Sequence, residues 1–319
     1  MSQCLTCPAG DFCSSYNLIA PTGQCPAGYY CIAGSRTGTL CPSGAYCVAG
    51  SPAYVSCPPG AYQINSGQSS CTTCPSGFFC PGGVINYNSG AYDCPRGYYC
   101  LNGTSYSTEY PCPSGTFSNH SNALSLNDCT PAPGGYFVNG TGNFKVTGAC
   151  YGGYYCPLGA YTATPHCATT YCTSGGQCVP GQYCPNASAI YSPCPGGYYC
   201  GGYDGQITGP CSAGYFCTQG SYTSTPVKLV DSTNISIGDI CPTGYYCAQG
   251  SSKPTACPLG SFSVQGSTSS ADCHACPSGY YCTSPSVQVS TILLIKKLNL
   301  NRSNAPLDTI VLLQRRTTT

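Results

Sequence analysis

The side chains best able to do chemistry in this chain are its 31 cysteines. Most are written in one phrase, C-x-x-G-x-[YF]-C. It opens at Cys7, Cys25, Cys41, Cys74, Cys94, Cys150, Cys178, Cys194, Cys211, Cys241 and Cys276. It closes at Cys13, Cys31, Cys47, Cys80, Cys100, Cys156, Cys184, Cys200, Cys217, Cys247 and Cys282. Three further phrases, opening at Cys57, Cys112 and Cys257, lack the closing cysteine, and a Ser/Asn-rich stretch after each ends in a substitute: Cys71, Cys129 and Cys273. Cys167 and Cys172 lie in a Thr-rich stretch, and Cys4 is left over from an odd total. Thiols at this density can cross-link, hold metal or exchange. Zinc would need a second C-x-x-C pair about 15 to 20 residues from the first. No C-x-x-C pair here has one, and a metal-storage array would carry few aromatics, whereas a ring stands beside nearly every motif. The cysteines therefore read as disulfides.

Two registers compete for the pairing. In the economical one each opening cysteine bonds within its own unit, as Cys25 to Cys31, Cys41 to Cys47, Cys57 to Cys71 and Cys257 to Cys273. A turn can bring cysteines at that spacing within bonding range. The alternative joins each closing cysteine to the next opener, such as Cys31 to Cys41. It forces C-x-x-C bonds at Cys4/Cys7, Cys71/Cys74 and Cys273/Cys276, short loops that suit redox catalysts better than staples.

No other constellation suggests catalysis. His120, His166 and His274 each lie in a polar stretch without a Ser or Cys nucleophile motif, so they read as loop histidines. The nine acidic residues are scattered, with Glu109 the only glutamate, and no pair recommends itself for glycoside chemistry. DSTNISIGD, residues 231–239, is rich enough in oxygen to coordinate calcium loosely, but it lacks the spacing and closing Glu of an EF-hand loop. A solvated loop is the plainer reading. No cofactor is expected, and the chain reads as a non-enzyme.

The elements that must hold these cysteines follow from composition. Cysteine near a tenth of the chain reaches the range of disulfide scaffolds, about 8–10%. Charged residues are only 6%, where roughly 25% is usual. With 41 Gly and 28 Pro, any helical or long-strand period is interrupted. The fold class expected is therefore small disulfide-rich repeats: an elongated rod of turns and very short β-hairpins with almost no helix, its units stacked because none can fold alone. Glycine supplies the positive φ of a tight turn, proline restricts the unfolded chain, and the aromatic covers the disulfide. The expected organisation is a repeat array over residues 1–128, an irregular cysteine-rich segment over 129–177, and a second array over 178–282 with an insertion at 225–240. That insertion reads as a protruding loop or short hairpin.

So much cysteine outside a zinc pattern implies an oxidising compartment, and the full protein is expected to be extracellular or at a cell surface. With a net charge of +1 and no basic cluster before residue 296, no nucleic-acid footprint is offered. The N-terminus lacks the charged and apolar regions of a signal peptide, and no apolar run is long enough to span a membrane. Sequons at Asn102, Asn119, Asn139, Asn186, Asn234 and Asn301 are modestly in excess of chance and agree with a glycosylated, secreted rod.

The long units CPPGAYQINSGQSSCTTCPSGFFC and CPLGSFSVQGSTSSADCHACPSGYYC, residues 57–80 and 257–282, resemble the ephrin-receptor-like cysteine-rich repeats of the growth-factor-receptor cysteine-rich superfamily. Their first loop also resembles the opening module of tumour-necrosis-factor receptors, which supports Cys57 to Cys71 and Cys257 to Cys273. The resemblance extends over residues 1–282, more loosely across the short units. It implies an extracellular, extended, disulfide-laddered module and leaves the ligand open.

The reading is a non-enzymatic structural or spacer repeat. Its partners would be other copies or surface proteins by lateral contact, with N-glycans attached and membrane attachment only through flanking segments. A ligand-binding receptor ectodomain is the alternative, with a thiol-exchange or metal-storage protein third. Cys4-x-x-Cys7 repeats the context of Cys71-x-x-Cys74 and Cys273-x-x-Cys276, whose first cysteines close long units opened upstream. The spacing thus predicts a further opener and a signal peptide before Cys4. The tail, residues 283–319, has no Cys, Gly or Tyr and carries half of all Lys and Arg. Read one base earlier, the codons for residues 305–311 can spell Cys-Pro-x-Gly-Tyr-Tyr-Cys. The tail is therefore expected to be an aberrant, out-of-frame or disordered segment rather than a basic membrane-surface segment. The coding DNA at Asp308, Thr309 and Ile310 tests this.

Overall fold

In the phrase at Cys25, the carbonyl of Pro26 accepts the N–H of Tyr29 at 3.0 Å, closing a turn whose third residue, Gly28, has φ +86°. A positive φ there is what glycine supplies without a Cβ clash. The turn sets Cys25 and Cys31 5.8 Å apart at Cα, and they are disulfide-bonded. The chain leaves it as the strand Tyr29–Tyr30, which pairs antiparallel with Thr39–Leu40, the two residues before the next opening cysteine. A second turn intervenes. The Ile32 carbonyl accepts from the N–H of Ser35 at 3.1 Å and from its hydroxyl at 2.7 Å, across Gly34 at φ +81°.

This plan recurs in the computed structural model, which describes residues 4–166, 175–230, 236–278 and 282. Ala45–Tyr46 pairs with Val55–Ser56, Ala61–Tyr62 with Thr72–Thr73, and Tyr198–Tyr199 with Gly209–Pro210. The fold is that of small disulfide-rich repeats. Helical geometry among the described residues is confined to two single turns of 3₁₀ helix, Leu126–Asp128 and Ser270–Asp272. Both lie in long loops, just before Cys129 and Cys273.

Fourteen disulfides are formed among the described residues, every one within its own unit. Short units bond across six residues, and the long ones bond Cys57 to Cys71, Cys112 to Cys129 and Cys257 to Cys273. Cys4 is free and exposed. Cys167, Cys172, Asn234, Asn301 and the tail from residue 283 lie outside the described residues.

The insertion at 225–240 contributes a hairpin. Leu229–Val230 pairs with Ser236–Ile240, which also pairs with Tyr215–Cys217, making a three-stranded sheet. Ile237 in its central strand is buried. The chain forms two compact units, Met1–Gln177 with Asn186–Ile190, and Cys178–Pro185 with Tyr191–Thr319. Neither has a conventional aliphatic core. Most fully buried apolar side chains are cystines, with Val84 and Val138 added in the first unit and Ile237 in the second.

Candidate functional site: the junction between repeats

A chain whose described strands are nearly all two residues long must satisfy most of its backbone polar groups outside regular ladders, because an unpaired buried amide costs as much as a lost hydrogen bond. The junction between the Cys25 and Cys41 repeats shows how. Gly28 donates its N–H to the Cys47 carbonyl at 2.9 Å and accepts the Cys41 N–H at 2.9 Å. Cys31 donates to the Ser51 carbonyl at 3.0 Å, and Gly50 donates to the Cys25 carbonyl at 2.8 Å. The same four bonds join the Cys7 and Cys25 repeats, through Gly10 to Cys31, Cys25 to Gly10, Cys13 to Ser35 and Gly34 to Cys7. They recur between the Cys194 and Cys211 repeats, through Gly197 to Cys217, Cys211 to Gly197, Cys200 to Ser221 and Gly220 to Cys194. Each disulfide thus holds two backbone edges in register for the next repeat.

The phrase glycine has a second duty. A Cβ added at Gly10 would stand 2.5 Å from the carbonyl oxygen of Gly50, and one at Gly44 would stand 2.7 Å from that of Gly83. The partner glycine belongs to the loop two repeats further on. The first glycine is therefore required both for its positive φ and for this close approach.

The stretch with broken spacing contains a repeat that has no cysteine at all. In APGGYFV, residues 132–138, Ala132 and Val138 stand where the opening and closing cysteines would, and both are 0% exposed. Every junction bond is kept. Ala132 donates to Gly115, Gly115 to Val138, Gly135 to Cys156, Cys150 to Gly135, Val138 to Ala160 and Gly159 to Ala132, all at 2.8–3.0 Å. Two apolar side chains fill the place of a disulfide. The strands Tyr136–Phe137 and Gly148–Ala149 complete the unit. No protein-family model and no curated protein sequence matches the chain.

The sequon asparagines that the structure describes, Asn102, Asn119, Asn139 and Asn186, are all exposed. Asn102 and Asn186 stand at one register, two residues past a closing cysteine. Their Oδ1 atoms accept the backbone N–H of Ser76 at 2.9 Å and of Gly152 at 2.7 Å, in the preceding repeat. Asn119 Oδ1 lies 3.3 Å from Nδ1 of His120. The other histidines meet rings, His166 at 5.9 Å from Tyr154 and His274 at 5.9 Å from Phe262. Of the calcium candidates, Asp239 already accepts the N–H of Lys228 at 3.0 Å and of Ile240 at 2.8 Å. Among the described residues no group of three or more His, Cys, Asp or Glu is placed to hold a metal.

Three carboxylates are tuned by backbone donors. The N–H groups of Leu124 and Ser125 hold Asp128 below the usual carboxylate range. Asp272 is lowered by the N–H groups of Thr268 and Ser269 and by the Thr268 hydroxyl. Glu109 is lowered by the Ser105 N–H above all, with the Tyr110 hydroxyl and the Tyr106 N–H also donating. These are ordering contacts of loops. Burial, with Tyr87 nearby, pushes the Tyr62 phenol up.

Proposed function

We propose that the chain is a non-enzymatic structural repeat of an extracellular or cell-surface assembly, a spacer similar to ephrin-receptor-like cysteine-rich repeats and carrying N-glycans at Asn102, Asn119, Asn139 and Asn186. One observation carries the reading: the chain spends its cysteines and its phrase glycines on an identical junction repeated along its length. A molecule built this way supplies regular spacing and resistance to unfolding from short covalent loops. The oxidised ladder supports the compartment, since thiols at this density persist as disulfides only under oxidising conditions. No helix of the described residues is long and apolar enough to cross a membrane.

The test is expression through a secretory pathway, followed by peptide mapping of disulfides and glycans and by proteolysis before and after reduction. The expected result is secreted protein with glycans on those asparagines, bonds within repeats, and proteolysis that spreads along the chain only after reduction. Retention in the cytosol as a thiol-rich or metal-loaded form would overturn the reading.

A further inference from the structure

The dipeptide Asn-Gly occurs at Asn102–Gly103 and again at Asn139–Gly140, and Thr follows each time. An asparagine before glycine is open to attack by the next backbone nitrogen, because glycine has no Cβ to obstruct the approach. Both asparagines are exposed. The structure nevertheless holds the two pairs in opposite states.

At the first pair the reacting groups are engaged. The Asn102 amide oxygen accepts the Ser76 N–H at 2.9 Å, which fixes the side chain toward the preceding repeat. The Gly103 N–H donates to the Cys74 carbonyl at 2.8 Å. Thr104 is buried, and its hydroxyl donates to the Leu101 carbonyl at 2.7 Å. At the second pair the flanks are held but the reacting groups are not. The Asn139 N–H donates to the Thr147 hydroxyl at 2.9 Å, and the Asn143 amide donates to the carbonyls of Asn139 at 2.8 Å and of Gly140 at 3.2 Å. Among the described residues, neither the Asn139 side-chain amide nor the Gly140 N–H has a hydrogen-bond partner. Gly140 is exposed at φ +76°, with open space where a Cβ would stand. The pair lies in the loop joining the strands of the unit that has Ala132 and Val138 in place of a disulfide.

We propose that Asn139–Gly140 is a self-modifying site, at which asparagine converts through a cyclic imide to aspartate and isoaspartate and so loosens the cysteine-free unit, while Asn102–Gly103 stays locked. The Gly140 nitrogen loses its proton to a solvent base and attacks Cγ of Asn139. The tetrahedral adduct expels the side-chain nitrogen as ammonia and closes a five-membered succinimide. Water then opens the ring, at the side-chain carbonyl to give aspartate or at the main-chain carbonyl to give isoaspartate. The net change is one amide and one water to one carboxylate and one ammonium. Isoaspartate puts one extra atom into the backbone of the loop. A glycan on Nδ2 would substitute the leaving nitrogen, so the reaction belongs to molecules in which Asn139 is bare.

The test uses the full-length, oxidised protein made in a bacterial periplasm, where these sequons stay bare. It is incubated at mildly alkaline pH, mapped by peptide mass, and probed with an isoaspartyl methyltransferase and labelled S-adenosylmethionine. Asn139 should convert faster than Asn102 by roughly tenfold or more, the factor that first breaking two ordinary hydrogen bonds would impose. In reduced, alkylated and denatured chain the two should convert at similar rates, since both read Asn-Gly-Thr. Trypsin should cut after Lys145 sooner in converted than in unconverted folded protein. Equal rates at the two asparagines in the folded protein, or an Asn102 that stays slow in the denatured chain, would overturn the site. Unchanged cleavage after Lys145 would overturn the loosening. None of these outcomes bears on where the protein resides, which the secretion experiment decides separately.

Discussion

Single residues here carry constraints that side-chain packing carries elsewhere. Ala187 is instructive because it occupies a loop-glycine position at φ +63°. Its N–H donates to the Cys150 carbonyl at 2.9 Å, and its carbonyl faces Gly135. A left-handed alanine costs roughly 1–2 kcal/mol, so Ala187→Gly should raise stability by about 1 kcal/mol, measured as a higher denaturant midpoint. A lower midpoint would mean that the methyl group makes an unrecognised contact. The loop carboxylates yield a prediction of pH dependence. Asp128 and Asp272 have folded values depressed by backbone donors, so their contribution is present above the unfolded aspartate value of about 3.9. It fades as pH falls below that value toward the folded one. Amide protection factors in residues 124–128 and 268–272, taken against intrinsic exchange at each pH, should therefore fall on acidification while those of the Cys25 repeat hold. Asp272→Asn should abolish the pH dependence in its own loop alone. A uniform fall in protection across the chain would assign the acid response elsewhere.

At the scale of the element, the C-P-x-G-x-[YF] phrase was legible because each letter has a local cause. The in-unit pairing was favoured because a missing closing cysteine is replaced within the same unit at Cys71, Cys129 and Cys273. Two features escaped. One is the second half of the phrase, a glycine three residues past the closing position, as at Gly34, Gly50, Gly103, Gly159, Gly220, Gly250 and Gly266. It needs the junction to be seen, since its N–H bonds a carbonyl in the preceding repeat. The other is the repeat at residues 132–138, hidden because Ala132 and Val138 replace both cysteines that would mark it. Its glycine and aromatic, Gly135 and Phe137, keep the phrase spacing and were the available signal. If Ala132 and Val138 occupy a true cystine site, then Ala132→Cys with Val138→Cys should form one more disulfide. It should stabilise that unit by about 2–3 kcal/mol, as expected for so short a loop. Two free thiols at those positions under oxidising refolding, detected by alkylation and peptide mapping, would show that the backbones only look equivalent.

Over the whole molecule, stability should behave as a sum of units and junctions, as in other repeat proteins, but with a longer reach than nearest neighbours. Junction bonds link adjacent repeats, while the close approaches of Gly10 to Gly50 and of Gly44 to Gly83 link repeats two apart. Removing one disulfide should therefore be felt over two repeats on either side and then fade. The natural cysteine-free unit shows how to remove one without leaving a buried thiol. Cys41→Ala with Cys47→Val copies the arrangement of Ala132 and Val138. The variant should fold, because the four junction bonds on each side depend on backbone alone. It should lose about 2–3 kcal/mol locally, the chain-entropy contribution of a short loop. Limited proteolysis should then cut first between residues 7 and 83, while sites beyond Cys94 keep their original rates. Early cleavage throughout the array would mean that the disulfides hold the chain as one cooperative body. Cleavage confined to residues 41–56 would mean that the glycine contacts two repeats apart transmit nothing.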